Sequence, residues 1–337
     1  MPTDRDKRAS ARAPDDDAER FALAALGDEG LVLDVATGEI YRVDAAGVVA
    51  FGAIGRGLGV AGAAAALARA FETEPGRAAR DVQRMLRSLS CAPRRAPAPA
   101  SVRFEPREGG GYDLFIAGRR AAWIDASGRV VERVGAAGRA SAALRIAAPH
   151  VLALRGRAVL HASAVVSRRG AVAFVGPSGV GKSTLARRLS RHMRVVSEDL
   201  LVLASVREAV LDGEGAIRSW STARSRAVRT DGLLACADGA RCPLRAVLLV
   251  ERAAGRAELE LEPLRGVDAV AALFANAFAE LPSPRVWRRA LATSRALAAR
   301  GIVHRLLVPE GLGALGRALR RSSGFDDPVE ALFGRAR

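Results

Sequence analysis

The apolar run Val172-Ala173-Phe174-Val175 leads into Gly176-Pro177-Ser178-Gly179-Val180-Gly181-Lys182-Ser183-Thr184, and then into Leu185-Ala186-Arg187-Arg188-Leu189. This order constrains the fold more than any other feature of the chain. The apolar run reads as a buried strand and the last segment as a helix. The glycine-rich stretch between them is G-x-x-x-x-G-K-S, a loop whose backbone N–H groups cradle phosphate oxygens at a helix N-terminus. Lys182 sharpens the reading. Of 52 lysines and arginines all but Lys7 and Lys182 are arginine. The chain keeps its second lysine where a compact ammonium is needed, because the wide guanidinium fork does not fit a tight loop around phosphates. Residues Gly176, Pro177, Ser178, Gly179, Val180, Gly181, Lys182, Ser183 and Thr184 are therefore the candidate nucleotide-binding set. The Ser183 hydroxyl is a candidate Mg²⁺ ligand.

The chain has 337 residues, half of them apolar, enough for two or three domains with sizeable cores. Three cysteines, Cys91, Cys236 and Cys242, are too few for a disulfide scaffold and fit a reducing cytoplasm. No apolar core follows the first charges, so no signal peptide is expected. No apolar stretch approaches ~18 residues, so no spanning helix and no membrane partner are expected. The formal charge of +16 invites a nucleic-acid partner. Two features argue against one: the arginines are spread along the whole chain, and aromatics make up only 4 % of it, leaving few stacking platforms.

Along the chain, residues 1–18 are polar and charged and read as a disordered tail. A compact unit spans 19–90. In it, Leu31–Asp34 and Glu39–Val43 flank Ala36-Thr37-Gly38 as a β-hairpin. Asp44 caps a helix through Phe51, a second helix covers Val60–Phe71, and a third starts near Pro75. The Pro/Ala segment 91–100 reads as a stiff linker. Residues 101–325 form the larger unit, and 326–337 a tail.

The smaller unit resembles the PqqD-like family of leader-peptide recognition domains. The resemblance lies in Leu33-Asp34-Val35-Ala36-Thr37-Gly38-Glu39-Ile40-Tyr41-Arg42-Val43-Asp44-Ala45-Ala46-Gly47. It implies a small winged-helix-like α+β domain in which a leader peptide adds a strand to the hairpin edge and packs on the third helix. Asp44 stands where the family usually has Asn, and either side chain caps a helix. Arg77, Arg80, Arg84 and Arg87 share one face of that third helix. The face suits an acidic leader, and it equally suits the solvated side of an amphipathic helix.

The loop's wording also occurs in ABC transporter ATPases, which need a glutamine and a Leu-Ser-Gly-Gly-Gln signature after it. The only glutamine here is Gln83, before the loop. One helix beyond Lys182 comes Arg194-Val195-Val196-Ser197-Glu198-Asp199-Leu200-Leu201-Val202-Leu203, a strand, an acidic corner and another strand. The spacing predicts that Glu198 and Asp199 end a strand beside the P-loop strand. There, one carboxylate would hold Mg²⁺ and the other accept a hydroxyl proton.

Leu160-His161-Ala162-Ser163, the P-loop and Ser197-Glu198-Asp199 together resemble the kinase domain of HPr kinase/phosphorylase and its relatives in lasso-peptide clusters. The resemblance implies an α/β domain of PEP-carboxykinase-like fold. It also implies ATP and Mg²⁺ as cofactors, and transfer of the γ-phosphoryl group to a Ser or Thr hydroxyl of a peptide or small protein. By matching positions, Glu198 would be the catalytic acid/base and Asp199 the metal-associated acid, with His161 and Lys182 completing the catalytic set. Two departures stand out. The family usually has Asp at the position of Glu198, and no lysine follows Lys182 to supply the family's basic signature, which argues against HPr as substrate. Two rival readings remain, an ATP-binding peptide chaperone or adaptor without phosphoryl transfer, and an ATP-responsive winged-helix regulator of DNA. The sequence allows a homo-oligomer. His150, His192 and His304 lack metal-ligand spacing and read as structural, and Arg218 suits either surface charge or a contact to phosphate or substrate.

Overall fold

The computed structural model describes residues 19–90, 102–128, 130–133, 148–167, 170–190, 193–197, 200–205, 208–210, 241–255, 259–278 and 281–309. The chain divides into two compact units, Met1–Pro97 and Ala98–Arg337.

The first unit is a three-stranded antiparallel sheet followed by three helices. Its strands β1 (Phe21–Leu26), β2 (Glu29–Asp34) and β3 (Glu39–Val43) lie in sequence order, leaving β1 and β3 as the edges. The β2–β3 hairpin was expected. Strand β1 was not, and it pairs with β2 along its whole length, from Phe21 opposite Asp34 to Leu26 opposite Glu29. The hairpin turn is held by Asp34. Its carbonyl accepts from Gly38 N–H at 2.7 Å, and its carboxylate accepts from Ala36 N–H at 2.9 Å. The same carboxylate, fully buried, pairs with Arg20 at 2.7 Å. Helices α1 (Ala45–Gly55), α2 (Gly59–Ala70) and α3 (Pro75–Ser90) follow. Asp44 caps α1 as expected, its side chain accepting from Gly47 N–H at 3.0 Å. Phe21, Val32, Phe51, Ile54, Leu67 and Val82 form one core.

The second unit opens with an antiparallel meander, β4 (Val102–Pro106), β5 (Tyr112–Ile116), β6 (Arg119–Ile124) and β7 (Val130–Arg133). Phe104, Leu114 and Ile124 of this sheet share a core with Val151 and Leu154, which belong to a helix, α4, over 148–154. A larger sheet, nine-stranded among the described residues, carries the P-loop. It contains β8 (Ala158–His161), β9 (Ser163–Ser167), β10 (Gly170–Val175), β11 (Arg194–Ser197), β12 (Leu200–Ser205), β13 (Glu208–Val210), β14 (Arg241–Ala253), β15 (Glu260–Pro263) and β16 (Val303–Pro309). The order runs β11-β9-β10-β14-β13-β12-β8, with β16 on β14 and β15 on β16. Strands β10, β14 and β16 are parallel neighbours, and the remaining pairs are antiparallel.

Every residue of β10 is buried, because both faces of the sheet are covered. Val172 and Phe174 point to the face covered by α5 (Lys182–Leu189), packing with Leu185, Leu189 and Leu248. Ala171, Ala173 and Val175 point to the other face and share a core with Leu273 of α6 (Gly266–Ala275) and Leu297 of α7 (Pro284–Ala299). The period-two alternation thus produces a run that is apolar throughout. Strand β14 is longer than the Ala246–Val250 segment legible in the sequence and bridges the two halves of the sheet. Its start pairs with β13, and its end runs between β10 and β16.

Candidate functional site

Strand β10 ends at Val175, level with Leu249 of β14, and the chain turns into the glycine-rich loop. Helix α5 begins at Lys182 with Gly181 as its N-cap, at φ 110°. This is a region that suits glycine, and an added Cβ would lie 2.6 Å from an Arg252 guanidinium nitrogen. Gly181 has no side chain to cap the first turn, which leaves the helix N-terminus as a place for an anion. Lys182 is only 6 % exposed. Its Nζ donates to Gly176 O at 2.7 Å and to Pro177 O at 3.1 Å, so the ammonium lies folded across the mouth of its own loop. Pro177, Ser178 and Gly179 are exposed at the loop's tip.

The segment Leu160–Ser163 is the junction of the site, and each of its last three residues makes a different contact. The backbone N–H of His161 donates to Asn276 O at 2.7 Å. Ala162 O lies 3.2 Å from Ser197 Oγ. Ser163 Oγ lies 3.3 Å from Ser183 Oγ, the candidate metal-ligating hydroxyl. The His161 ring is half-buried, 5.7 Å from the Phe278 ring. The structure therefore brings His161, Ser183 and the end of β11 together around three consecutive residues.

The two residues that flank the acidic corner, Ser197 and Leu200, bond to each other. Ser197, buried at the end of β11, accepts from Leu200 N–H at 2.8 Å, and its Oγ lies 2.6 Å from Leu200 O. Glu198 and Asp199, the candidate base and metal acid, lie outside the described residues, as do Arg218, Cys236 and His192. One expectation about this corner is corrected. Strand β11 does not neighbour the P-loop strand: β9 lies between them, pairing antiparallel with β10 on one side and with β11 on the other. The chain returns from β8 into β9 before it forms β10, so the place beside β10 is already filled.

Two residues not anticipated from the sequence touch the loop. Asn276, 9 % exposed and just past the end of α6, accepts through Oδ1 from Gly176 N–H at 2.8 Å. Its Nδ2 donates to Ala272 O at 2.8 Å. Arg252, near the end of β14, donates from Nε to Val180 O at 2.9 Å and from Nη1 to Pro309 O at 3.2 Å. Rarity was the available signal for Asn276, the only asparagine in the chain. Arg252 carried none in so arginine-rich a sequence.

The remaining predicted groups are structural in their surroundings. His150 packs against Phe104 with ring centroids 4.3 Å apart, and burial lowers its imidazole to about 4. Burial, and next the charge of Arg265, also hold His304 below the usual histidine value. Cys242 is buried. Among the described residues no helix is long and apolar enough to cross a membrane, and no three His, Cys, Asp or Glu side chains gather to hold a metal.

In the first unit, β3 is an edge strand, and among the described residues no strand other than β2 pairs with it. Tyr41 ties it to α3: its Oη is 2.6 Å from Glu39 Oε2 and 3.4 Å from Leu89 O. Burial, and then the hydrogen bond to Glu39, raise this phenol to about 12, so it stays a donor at neutral pH. Arg77, Arg80, Arg84 and Arg87 are exposed together on α3. Arg80 lies 3.9 Å from Glu74 and Arg84 3.3 Å from Asp81.

Residues 29–91 match the protein-family model for coenzyme PQQ synthesis protein D (PqqD). The first unit is therefore a PqqD-type domain. The chain matches no curated protein.

Proposed function

We propose that this chain is a peptide kinase that recognises a ribosomally made precursor peptide through its PqqD-type domain and phosphorylates it with ATP. The observation that carries the reading is the P-loop itself: a buried strand, a glycine-rich turn and a helix whose first residue is a buried lysine folded over the loop. The match over 29–91 and the place of β3 at the edge of its sheet support a peptide partner, which would add a strand there and lie along α3.

In the proposed reaction a Ser or Thr hydroxyl attacks the γ-phosphorus of ATP in line. The bond to the β–γ bridging oxygen breaks, ADP leaves, and the hydroxyl proton passes to the Glu198 carboxylate. Lys182 and the loop amides stabilise charge on the phosphates. The donor set fits Mg²⁺, with the Ser183 hydroxyl and Asp199 holding it, and the ion would neutralise phosphate charge. The PqqD-type domain raises the concentration of the peptide at the kinase.

The test incubates the full-length protein with Mg-ATP and a precursor peptide and follows phosphopeptide by mass spectrometry. Lys182→Ala abolishes product. Glu198→Gln lowers the rate by about 10²–10⁴-fold with nucleotide binding kept. ATP and peptide binding without phosphopeptide would establish the adaptor reading instead. Salt-sensitive binding to duplex DNA with no peptide binding would establish the regulator.

A further inference from the structure

The P-loop is held from outside at both ends of its turn. At the entry, the N–H of Gly176 is committed to Asn276 Oδ1 at 2.8 Å. An asparagine is specifically required there. The Gly176 N–H needs an acceptor, while Ala272 O, 2.8 Å from Nδ2, needs a donor on the same side chain. Aspartate would offer Ala272 O a second acceptor, and alanine would leave a buried N–H unmet. The backbone of Asn276 also accepts from His161 N–H at 2.7 Å, so one residue fixes the loop entry and the end of β8.

At the exit, Arg252 Nε holds Val180 O at 2.9 Å. In a planar trans peptide the carbonyl of one residue and the N–H of the next point in opposite directions. Fixing Val180 O on the Arg252 side therefore turns Gly181 N–H to the side away from Arg252. The second bond from Arg252, to Pro309 O at 3.2 Å, anchors the guanidinium to the end of β16.

We infer that Asn276 and Arg252 form a brace that sets the P-loop in its anion-binding shape before the ligand arrives, making both of them positioning residues for the phosphate chain. The inference rests on the nucleotide reading above. Neither residue needs to touch the nucleotide. Asn276 fixes where the strand hands over to the loop, and Arg252 fixes the direction of an amide that the phosphates meet. The ordering cost of the loop is then met by the fold and not by the ligand.

The test is calorimetry of the full-length protein with two probes, Mg-ATP and inorganic pyrophosphate. Asn276→Ala and Arg252→Ala each weaken both probes by about tenfold, the scale of one lost hydrogen bond. Equal loss on both probes marks an effect on the phosphate-binding amides. Arg252→Lys keeps one donor for Val180 O and recovers affinity to within about threefold of the parent protein. In the unliganded protein, the amide resonances of Gly176 in Asn276→Ala and of Gly181 in Arg252→Ala shift, a signature that loss of packing elsewhere does not give. If Asn276→Ala fails to fold by circular dichroism, Arg252→Ala, at an exposed position, decides by the same numbers. A parent protein that binds both probes, with variants within about twofold of it, overturns the brace and leaves the nucleotide reading standing. Loss of ATP with pyrophosphate unchanged also overturns it, since the residues would then act on the base. A parent protein that binds neither probe overturns the nucleotide reading and the brace together.

Discussion

Replacing His150 with leucine removes most of the acid sensitivity that this side chain gives the second unit. His150 lies in α4, its ring 4.3 Å from that of Phe104 and 5.9 Å from that of Phe278. Burial lowers its pKa from 6.5 to about 4. The unfolded chain therefore takes up a proton below pH 6.5, while the folded protein takes it up only near pH 4. The contribution to stability is complete above pH 6.5 and is lost progressively as the pH falls to 4. At about 1.4 kcal/mol per pH unit, the loss amounts to roughly 3 kcal/mol. His150→Leu keeps an apolar group of similar volume, so stability at pH 7 changes by less than about 1.5 kcal/mol. The assay is urea unfolding at a series of pH values, followed by tryptophan fluorescence, which reports only the second unit because Trp123, Trp220 and Trp287 all lie there. Carboxylates titrate alike in both proteins, so the difference between the two curves isolates His150. The expected result is a wild-type curve that drops below the variant's between pH 6.5 and 4. Parallel curves over that range, or a His150 titration midpoint near 6.5 by NMR, would show that burial does not hold this imidazole neutral.

Two further outcomes concern the PqqD-type domain. Arg20→Ala leaves the fully buried Asp34 carboxylate without its cation, at a cost of about 3 kcal/mol. Amide exchange at Leu31–Leu33 of β2 should accelerate about 100-fold, while unchanged exchange would mean that the ion pair contributes little. The double reversal Arg80→Glu, Arg84→Glu should weaken binding of an acidic leader peptide by about tenfold at low salt. Calorimetry at low and high salt checks this, and a loss that high salt does not reduce would point to packing and not charge.

What the sequence makes legible is what neighbouring residues decide. The hairpin turn around Asp34, the Asp44 cap and the strand–loop–helix order of the P-loop are all set within a few positions, and all appear in the structure. Strand β1 is obscure because Phe21-Ala22-Leu23-Ala24-Ala25-Leu26 is half alanine, a residue depleted in strands. Only its pairing with β2 makes it one. The beginning of β14 is hidden by Pro243, which lies in the stretch paired with β13. The placement of β9 between β10 and β11 depends on pairings across the sheet that no local pattern encodes.

Asn276 is a different case, because here the signal was present. Lys182 stands out because a chain built on arginine retains lysine where only lysine serves, and the only asparagine among 337 residues stands out for the same reason. Aspartate, glutamate and serine abound in the sequence, and any of them caps a turn or accepts a hydrogen bond. None presents an acceptor and a donor on one short planar group, which the Gly176 N–H and the Ala272 carbonyl together demand. A composition that discards a residue type nearly everywhere makes each survivor a statement about local chemistry. Both survivors of this kind in the second unit, Lys182 and Asn276, bond to the same residue, Gly176, one through its carbonyl and the other through its N–H.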